Sequence, residues 1–269
     1  MDISTRQVFI VSDHTGLTAE SMAKSLLSRF AGYNFRYQHR PFTDSPQKME
    51  MVLREVAASQ PGRPLVFSSL TNPAYVRQLM AAGALVCDLF APFLGLLEGE
   101  LGTASHQIGQ LHSIRDPHLY QNRMDAVEFS LATDDGLNPQ RYPWADVIVM
   151  GVSRVGKTPT SLFLALQHGL RAANYPITEA ELDDTQLPVD LRSFRERLFG
   201  LTIEPQRLHQ IRTQRRPGSP YASLEQCQYE IKRATWLYQA YRIPVYDTTR
   251  SSVEEITSSI LSQLRSSQK

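Results

Sequence analysis

The middle of the chain carries the stretch Gly151-Val152-Ser153-Arg154-Val155-Gly156-Lys157-Thr158. An apolar run at residues 146–150 comes directly before it, and a helical pattern from Lys157 to Gly169 follows. This order of strand, glycine-rich turn, Lys-Thr pair and helix has the spacing G-x-x-x-x-G-K-[ST] of a phosphate-binding loop. The stretch therefore predicts an α/β unit with a polyphosphate site at the end of its strand.

The residue types of the loop indicate its chemistry. Glycines allow the backbone N–H groups to turn towards an anion. The N-terminus of the following helix adds partial positive charge at the same place. Lys157 is expected to reach the terminal phosphates, and the Thr158 hydroxyl is expected to reach a Mg²⁺ ion. We therefore predict that residues 151–158 bind a nucleotide. The alternative is a structural strand–helix turn with a solvated lysine.

Length and composition are those of a globular protein. The chain has 269 residues, of which 42% are hydrophobic and 20% charged, enough for one large domain or two smaller ones. The net charge of +1 argues against a broad electrostatic surface for nucleic acid. No apolar run approaches the roughly 18 residues of a membrane span, and the N-terminus lacks the layout of a signal peptide. With only Cys87 and Cys227 as thiols, a cytoplasmic protein is expected.

Strand and helix patterns alternate along the whole chain. Strands are predicted at residues 7–12, 34–40, 65–68, 84–88, 146–150, 172–176, 198–203 and 243–247. Alternation of this kind predicts mostly parallel sheets covered by helices. We predict two domains: an N-terminal α/β domain with a mostly parallel sheet at residues 1–136, and a C-terminal α/β domain resembling phosphate-loop kinases at residues 137–269. The boundary is placed where a glycine turn interrupts the helical pattern.

Acidic residues near the loop are candidates for the rest of the chemistry. Phosphoryl transfer needs a metal site and a group that accepts the proton of the attacking hydroxyl. Asp134 and Asp135 precede a glycine just upstream of the loop strand and are predicted to be catalytic together with Lys157. An ordinary solvated turn would use the same residues. Asp247 ends an apolar strand and is predicted, with Thr158, to hold the metal.

Arginines crowd one predicted helix and its C-terminal end. Arg212, Arg215 and Arg216 share a face by their spacing, and Arg207 lies earlier on the same helix. One interpretation is a clamp for phosphate. The other, which the sequence favours slightly, is a solvated helix end that complements the helix dipole.

The loop and several other stretches together resemble one known family. Residues 151–161 are similar to the signature of the regulatory proteins of phosphoenolpyruvate synthase and of pyruvate, phosphate dikinase, with the bacterial synthase branch the more similar. The similarity extends over essentially the whole chain, through Val11-Ser12-Asp13, Thr15-Gly16, Asp134-Asp135-Gly136 and residues 171–176, 198–203 and 252–256.

The resemblance implies a bifunctional enzyme. One activity uses ADP to phosphorylate a threonine of phosphoenolpyruvate synthase and so inactivates it. The other uses inorganic phosphate to remove that group and releases pyrophosphate. The resemblance also implies a homodimer. Two rival functions stay open on the sequence alone: an ATP-dependent kinase of a small metabolite, and a non-catalytic nucleotide-sensing binding protein.

Overall fold

The computed structural model describes residues 4–60, 62–105, 117–184 and 186–267. The chain divides into two compact units, Met1–Leu111 and His112–Lys269. Each unit has its own four-stranded sheet, and all neighbouring strands in both sheets are parallel. The predicted α/β class with two mostly parallel sheets is therefore confirmed.

Strands and helices alternate through the first unit, where β1 supplies apolar residues to both faces of the sheet. The elements are β1 Ser4–Val11, α1 Leu17–Leu27, β2 Tyr33–Arg40, α2 Pro46–Ala57, β3 Leu65–Ser68, α3 Pro73–Ala81, β4 Leu85–Asp88 and α4 Ala91–Leu101. The strand order is β2-β1-β3-β4. Because side chains alternate along a strand, Phe9 and Val11 pack with α2 and α3, whereas Val8 and Ile10 pack with α1.

The second unit repeats this strand order, as β6-β5-β7-β8. Its strands and α-helices are α5 Pro117–Ala132, β5 Val147–Gly151, α6 Lys157–His168, β6 Ala172–Pro176, α7 Glu179–Asp183, β7 Leu198–Thr202, α8 Pro205–Arg215, α9 Leu224–Tyr241, β8 Val245–Asp247 and α10 Val253–Ser267. Short 3₁₀ helices lie at Asp134–Gly136, Pro139–Trp144, Val189–Arg197 and Pro220–Ala222. Among the helices that the structure describes, none has the length and apolar character that a bilayer crossing requires.

The observed division of the chain differs from the predicted domain boundary near residue 136. Helix α5 packs against α6 and β6, and the turn Asp134–Gly136 packs against β6. Both therefore belong to the second unit. A glycine turn marks where a helix ends, but it does not show on which side of that turn the chain passes from one unit to the next.

The second sheet places the loop at the carboxyl end of its strand β5. Strand β5 is buried along its whole length, as expected for a parallel strand covered on both faces. Its neighbours are β6 on one side and β7 on the other. In open parallel sheets, ligands bind at the carboxyl ends of strands where the chain order reverses in this way. Residues 152–156 leave β5 at that point and lead into α6.

Candidate phosphate-binding site

The backbone of the loop explains both of its glycines. Gly156 precedes α6 with φ of 100°, in the left-handed region that L residues rarely adopt. Gly151 is required for another reason: a Cβ there would lie 2.7 Å from Cγ1 of Val155 and 3.0 Å from the Leu201 carbonyl oxygen. Arg154, between them, also has a positive φ, of 74°. The loop therefore holds a tight bend against the end of β7.

Lys157 is the first residue of α6 and is buried, with only 5% of its surface exposed. Its Nζ donates a hydrogen bond to the Val152 carbonyl oxygen at 3.1 Å. Burial lowers the pKa of the ammonium to about 8, although the nearby carboxylates of Asp135 and Asp134 act in the opposite direction. The solvated lysine of the alternative interpretation is thus excluded. The ammonium instead lies desolvated beside the loop, where a bound anion would stabilise its charge.

A hydrogen-bonded group joins the loop to the Asp134–Gly136 turn. The Thr158 hydroxyl donates to Oδ1 of Asp134 at 2.8 Å. Asn174 of β6 is fully buried, and its Nδ2 donates to the same Asp134 oxygen and to the Thr158 hydroxyl, the latter at 3.2 Å. Its Oδ1 accepts a hydrogen bond from the backbone N–H of Asp135 at 2.9 Å. Asn174 therefore positions both aspartates relative to the loop.

Asp135 faces a cavity formed with the loop. The cavity has a volume of about 340 Å³, and its lining includes Asp135, Ser153, Arg154, Lys157, Thr158 and Ile211. Asp135 has φ of 49°, a conformation that favours glycine and that its hydrogen bond to Asn174 helps to maintain. The structure therefore brings Lys157, Thr158 and Asp135 together around one cavity, and Asp134 is hydrogen-bonded to Thr158.

Asp247 lies at the end of β8, as predicted, but its carboxylate is engaged locally. Its Oδ1 accepts hydrogen bonds from the backbone N–H of Thr249 at 2.7 Å and from the hydroxyl of the same residue at 2.5 Å. Asp247 is exposed and is not part of the cavity lining described above. The neighbouring Thr248 does approach the loop, since a Cβ on Gly156 would lie 3.8 Å from its Cγ2. A metal-binding role for Asp247 stays a prediction.

Thr158 and Asp134 present two neighbouring side-chain oxygens beside the loop. In the part of the chain that the structure describes, no group of three or more His, Cys, Asp or Glu side chains could hold a metal ion. A Mg²⁺ that accompanies a nucleotide needs fewer protein ligands, because it binds one or two protein oxygens and completes its coordination shell with phosphates and water. The hydroxyl and carboxylate oxygens, 2.8 Å apart, are ligands of this kind. The site therefore fits a Mg²⁺ that binds with a nucleotide.

The arginines of α8 and of the residue that follows it do not share one environment. Arg215 and Arg216 are exposed, whereas Arg212 is fully buried. The Arg212 guanidinium forms two hydrogen bonds to Glu230 of α9, at 2.9 and 2.6 Å. The prediction that these arginines form a solvated helix end was therefore wrong for Arg212. The sequence does not show that a carboxylate of another helix neutralises its charge. A signal did exist: Glu230 is a charged residue on the buried face of α9, beside Cys227 and Ala234.

The sequence likewise predicted no role for Asn174, although this residue stands in the apolar strand Ala-Ala-Asn-Tyr-Pro. A fully buried amide in such a strand must find partners, because an unpaired buried polar group costs about 1–3 kcal/mol. That requirement could have marked it as a site residue.

Comparison with known proteins assigns nearly the whole chain to one family. The profile of the kinase/pyrophosphorylase family matches residues 8–261, which include most of both units. The chain belongs to the kinase/pyrophosphorylase family. The resemblance described in the sequence analysis is thus confirmed, and the loop, the Asp134-Asp135 pair and Asn174 all lie within the matched residues.

Curated relatives within this family are similar over nearly their full length. A protein of Deinococcus radiodurans is 52% identical over 270 residues, covering 97% of this chain and 96% of the relative. A protein of Xylella fastidiosa is 47% identical, covering 95% of each chain. One from Azoarcus sp. is 46% identical, covering 97% of this chain and 96% of the relative. All three bear the provisional name of phosphoenolpyruvate synthase regulatory protein.

Proposed function

We propose that this kinase/pyrophosphorylase regulates phosphoenolpyruvate synthase by two opposed reactions. In the first, the β-phosphoryl group of ADP is transferred to a threonine of the synthase, AMP is released, and the synthase is inactivated. In the second, inorganic phosphate removes the phosphoryl group as pyrophosphate and restores the hydroxyl. The names of the family and of its curated relatives support this proposal.

The observation that carries the proposal is the cavity in which Lys157, Asp135 and the loop backbone meet. The loop N–H groups would hold the phosphates of ADP. The buried ammonium of Lys157 would stabilise the negative charge that develops on the group in transit. Thr158 and Asp134 would hold Mg²⁺, which supplies further charge neutralisation to the phosphates when it is bound.

Asp135 is the residue we assign to proton transfer, with Asp134 as the substitute. In the forward reaction the threonine oxygen forms a bond to the β-phosphorus, the bond from that phosphorus to the bridging oxygen breaks, and the hydroxyl proton passes to the carboxylate. In the reverse reaction an oxygen of inorganic phosphate attacks the phosphothreonine phosphorus, and the departing threonine oxygen takes the proton back. Asp135 suits this role better because it lines the cavity, whereas Oδ1 of Asp134 already accepts two hydrogen bonds.

The proposal is tested by mixing the purified protein with phosphoenolpyruvate synthase and either ADP or ATP, and locating phosphate by mass spectrometry. We expect a phosphothreonine with ADP, and pyrophosphate when the modified synthase is then given inorganic phosphate. Lys157→Ala should lower the forward rate on the order of a hundredfold or more. Lys232→Ala, at an exposed lysine of α9, is the matched control and should leave the rate unchanged.

The two rival functions give different results in the same assay. A metabolite kinase would consume ATP without modifying the synthase. A nucleotide sensor would bind ADP but form neither phosphothreonine nor pyrophosphate. Either result, or undiminished activity of Lys157→Ala, would refute the proposal.

We also propose a homodimer, which the family resemblance implies, and a cytoplasmic location, which the cysteine usage indicates. The free thiols of Cys87 and Cys227 suit a reducing compartment. Light scattering of the purified protein tests the dimer, and fractionation of the source cells tests the location.

A further inference from the structure

Two side chains from outside the loop hold one loop residue, Ser153. Arg212 of α8 donates to the Ser153 carbonyl oxygen from Nη2 at 3.0 Å and from Nε at 3.4 Å. Tyr221 donates its hydroxyl to Oγ of the same serine at 2.7 Å. Ser153 is therefore held through its backbone by α8 and through its side chain by the segment that joins α8 to α9.

The guanidinium of Arg212 has no donor left for a ligand. Its Nη1 donates to Glu230 at 2.9 Å and to the Tyr221 carbonyl oxygen at 3.0 Å, and its Nη2 donates to Glu230 at 2.6 Å. With the two bonds to Ser153, all five N–H groups have acceptors within the protein. The guanidinium also lies over the Tyr221 ring, 4.1 Å from its centre. Arg212 is thus built into the fold, in contrast to the exposed Arg154.

These contacts set the direction of a peptide group in the loop. The amide between Ser153 and Arg154 is planar, so its C=O and N–H point to opposite sides. When Arg212 holds the carbonyl, the N–H of Arg154 must point away from the guanidinium. Arg154 also has the positive φ of 74° that lets successive N–H groups converge on an anion, at some cost for a residue other than glycine.

We propose that Arg212, Tyr221 and Glu230 form a clamp that presets the loop for nucleotide phosphates. Arg212 and Tyr221 are positioning residues, because they act through Ser153. Glu230 holds the guanidinium group of Arg212 in place and neutralises its buried charge. The proposal rests on the proposed function only in taking ADP as the ligand of the loop.

The clamp is tested by the affinity for ADP with Mg²⁺, measured by calorimetry. Tyr221→Phe keeps the ring beneath Arg212 but removes the hydrogen bond to Ser153, so ADP should bind about threefold to tenfold more weakly. Arg212→Lys keeps the charge but loses the two-pronged contacts, and the loss should be about tenfold to a hundredfold. Arg215→Lys, at an exposed position of the same helix, is the matched control and should bind like wild type.

A double-mutant cycle separates positioning from general destabilisation. If Tyr221 acts through the serine hydroxyl, Tyr221→Phe should have no further effect on ADP binding once Ser153→Ala is present. Melting temperature and circular dichroism show whether each variant is folded. If Arg212→Lys does not fold, Tyr221→Phe and the double-mutant cycle still test the proposal, because neither of them removes the buried ion pair of Arg212 and Glu230.

The outcomes distinguish this inference from the proposed function. Wild-type ADP affinity in folded Tyr221→Phe and Arg212→Lys would overturn the clamp and leave the proposed function untouched. Additive effects of Tyr221→Phe and Ser153→Ala would also overturn it. ADP binding by the wild type without phosphate transfer to the synthase would refute the proposed function and leave the clamp standing.

Discussion

Replacing Lys157 with methionine should make the ligand-free protein more stable at neutral pH. Burial lowers the pKa of Lys157 from 10.5 to about 8. At about 1.36 kcal/mol for each pH unit between these values, the folded state loses about 3 kcal/mol by burying the ammonium. Methionine is apolar and of similar length, so it avoids this cost. It also leaves the Val152 carbonyl without its partner, which costs about 1 kcal/mol.

The net gain at pH 7 is therefore about 2 kcal/mol, or roughly 4–8 °C in the melting temperature of a unit of this size. Its pH dependence follows from the direction of the pKa change. Below pH 8 the lysine is charged in both states, and the folded wild type bears the full cost. Between pH 8 and 10.5 the unfolded chain keeps a proton that the folded chain has lost, so wild-type stability rises with pH and the advantage of methionine shrinks, to below about 1 kcal/mol at pH 9.5.

The assay is thermal and urea unfolding of Lys157→Met and wild type at pH 7 and pH 9.5, without nucleotide. Lys232→Met, at an exposed lysine, is the control and should match wild type at both pH values. A Lys157→Met protein that is no more stable than wild type at pH 7 would refute the reasoning. A gain of the same size at both pH values would refute it as well, because the gain would then not come from the ammonium.

Three further results are expected. At pH 8.5, ADP binding should take up about three-quarters of a proton, because the phosphates restore the charge of Lys157. Calorimetry in buffers of different ionisation enthalpy measures this uptake, and no uptake would contradict the assignment. Asn174→Ala should lower stability by about 1–3 kcal/mol and slow phosphate transfer, since Asp134 loses its buried donor; urea unfolding and the synthase assay test both. Gly151→Ala should lower the free energy of unfolding by about 1–3 kcal/mol, because the added Cβ would clash with Val155. A variant as stable as the wild type would show that the loop moves to make room for the added carbon.

The expected gain from methionine has a functional meaning. A residue that lowers stability by its burial is kept where binding needs it, and a phosphate beside the ammonium offsets the cost of desolvation. The same charge that destabilises the empty site would strengthen the bound state and the transition state. Lys157 is thus the point at which stability and the proposed activity oppose each other.

Most strands and long helices were predictable because each depends on a short run of residues. The strands at residues 65–68 and 172–176 have the predicted bounds, and β5 and α6 flank the loop as expected. Helix α4 was missed. It has no buried residue, and its apolar residues surround the helix instead of forming a stripe, so the sequence lacks the usual helical pattern.

Local sequence was enough to predict the glycine-rich loop and the alternation of strands and helices, because glycine spacing, helix caps and hydrophobic period act within a few residues of one another. The packing of distant elements is what joins Asn174 to Asp134 and Thr158, and what lets Arg212 pair with Glu230 and donate to the Ser153 carbonyl oxygen instead of facing solvent. These pairs are far apart along the chain. They meet because of which strands lie side by side and which helix faces pack, and a linear pattern does not state that.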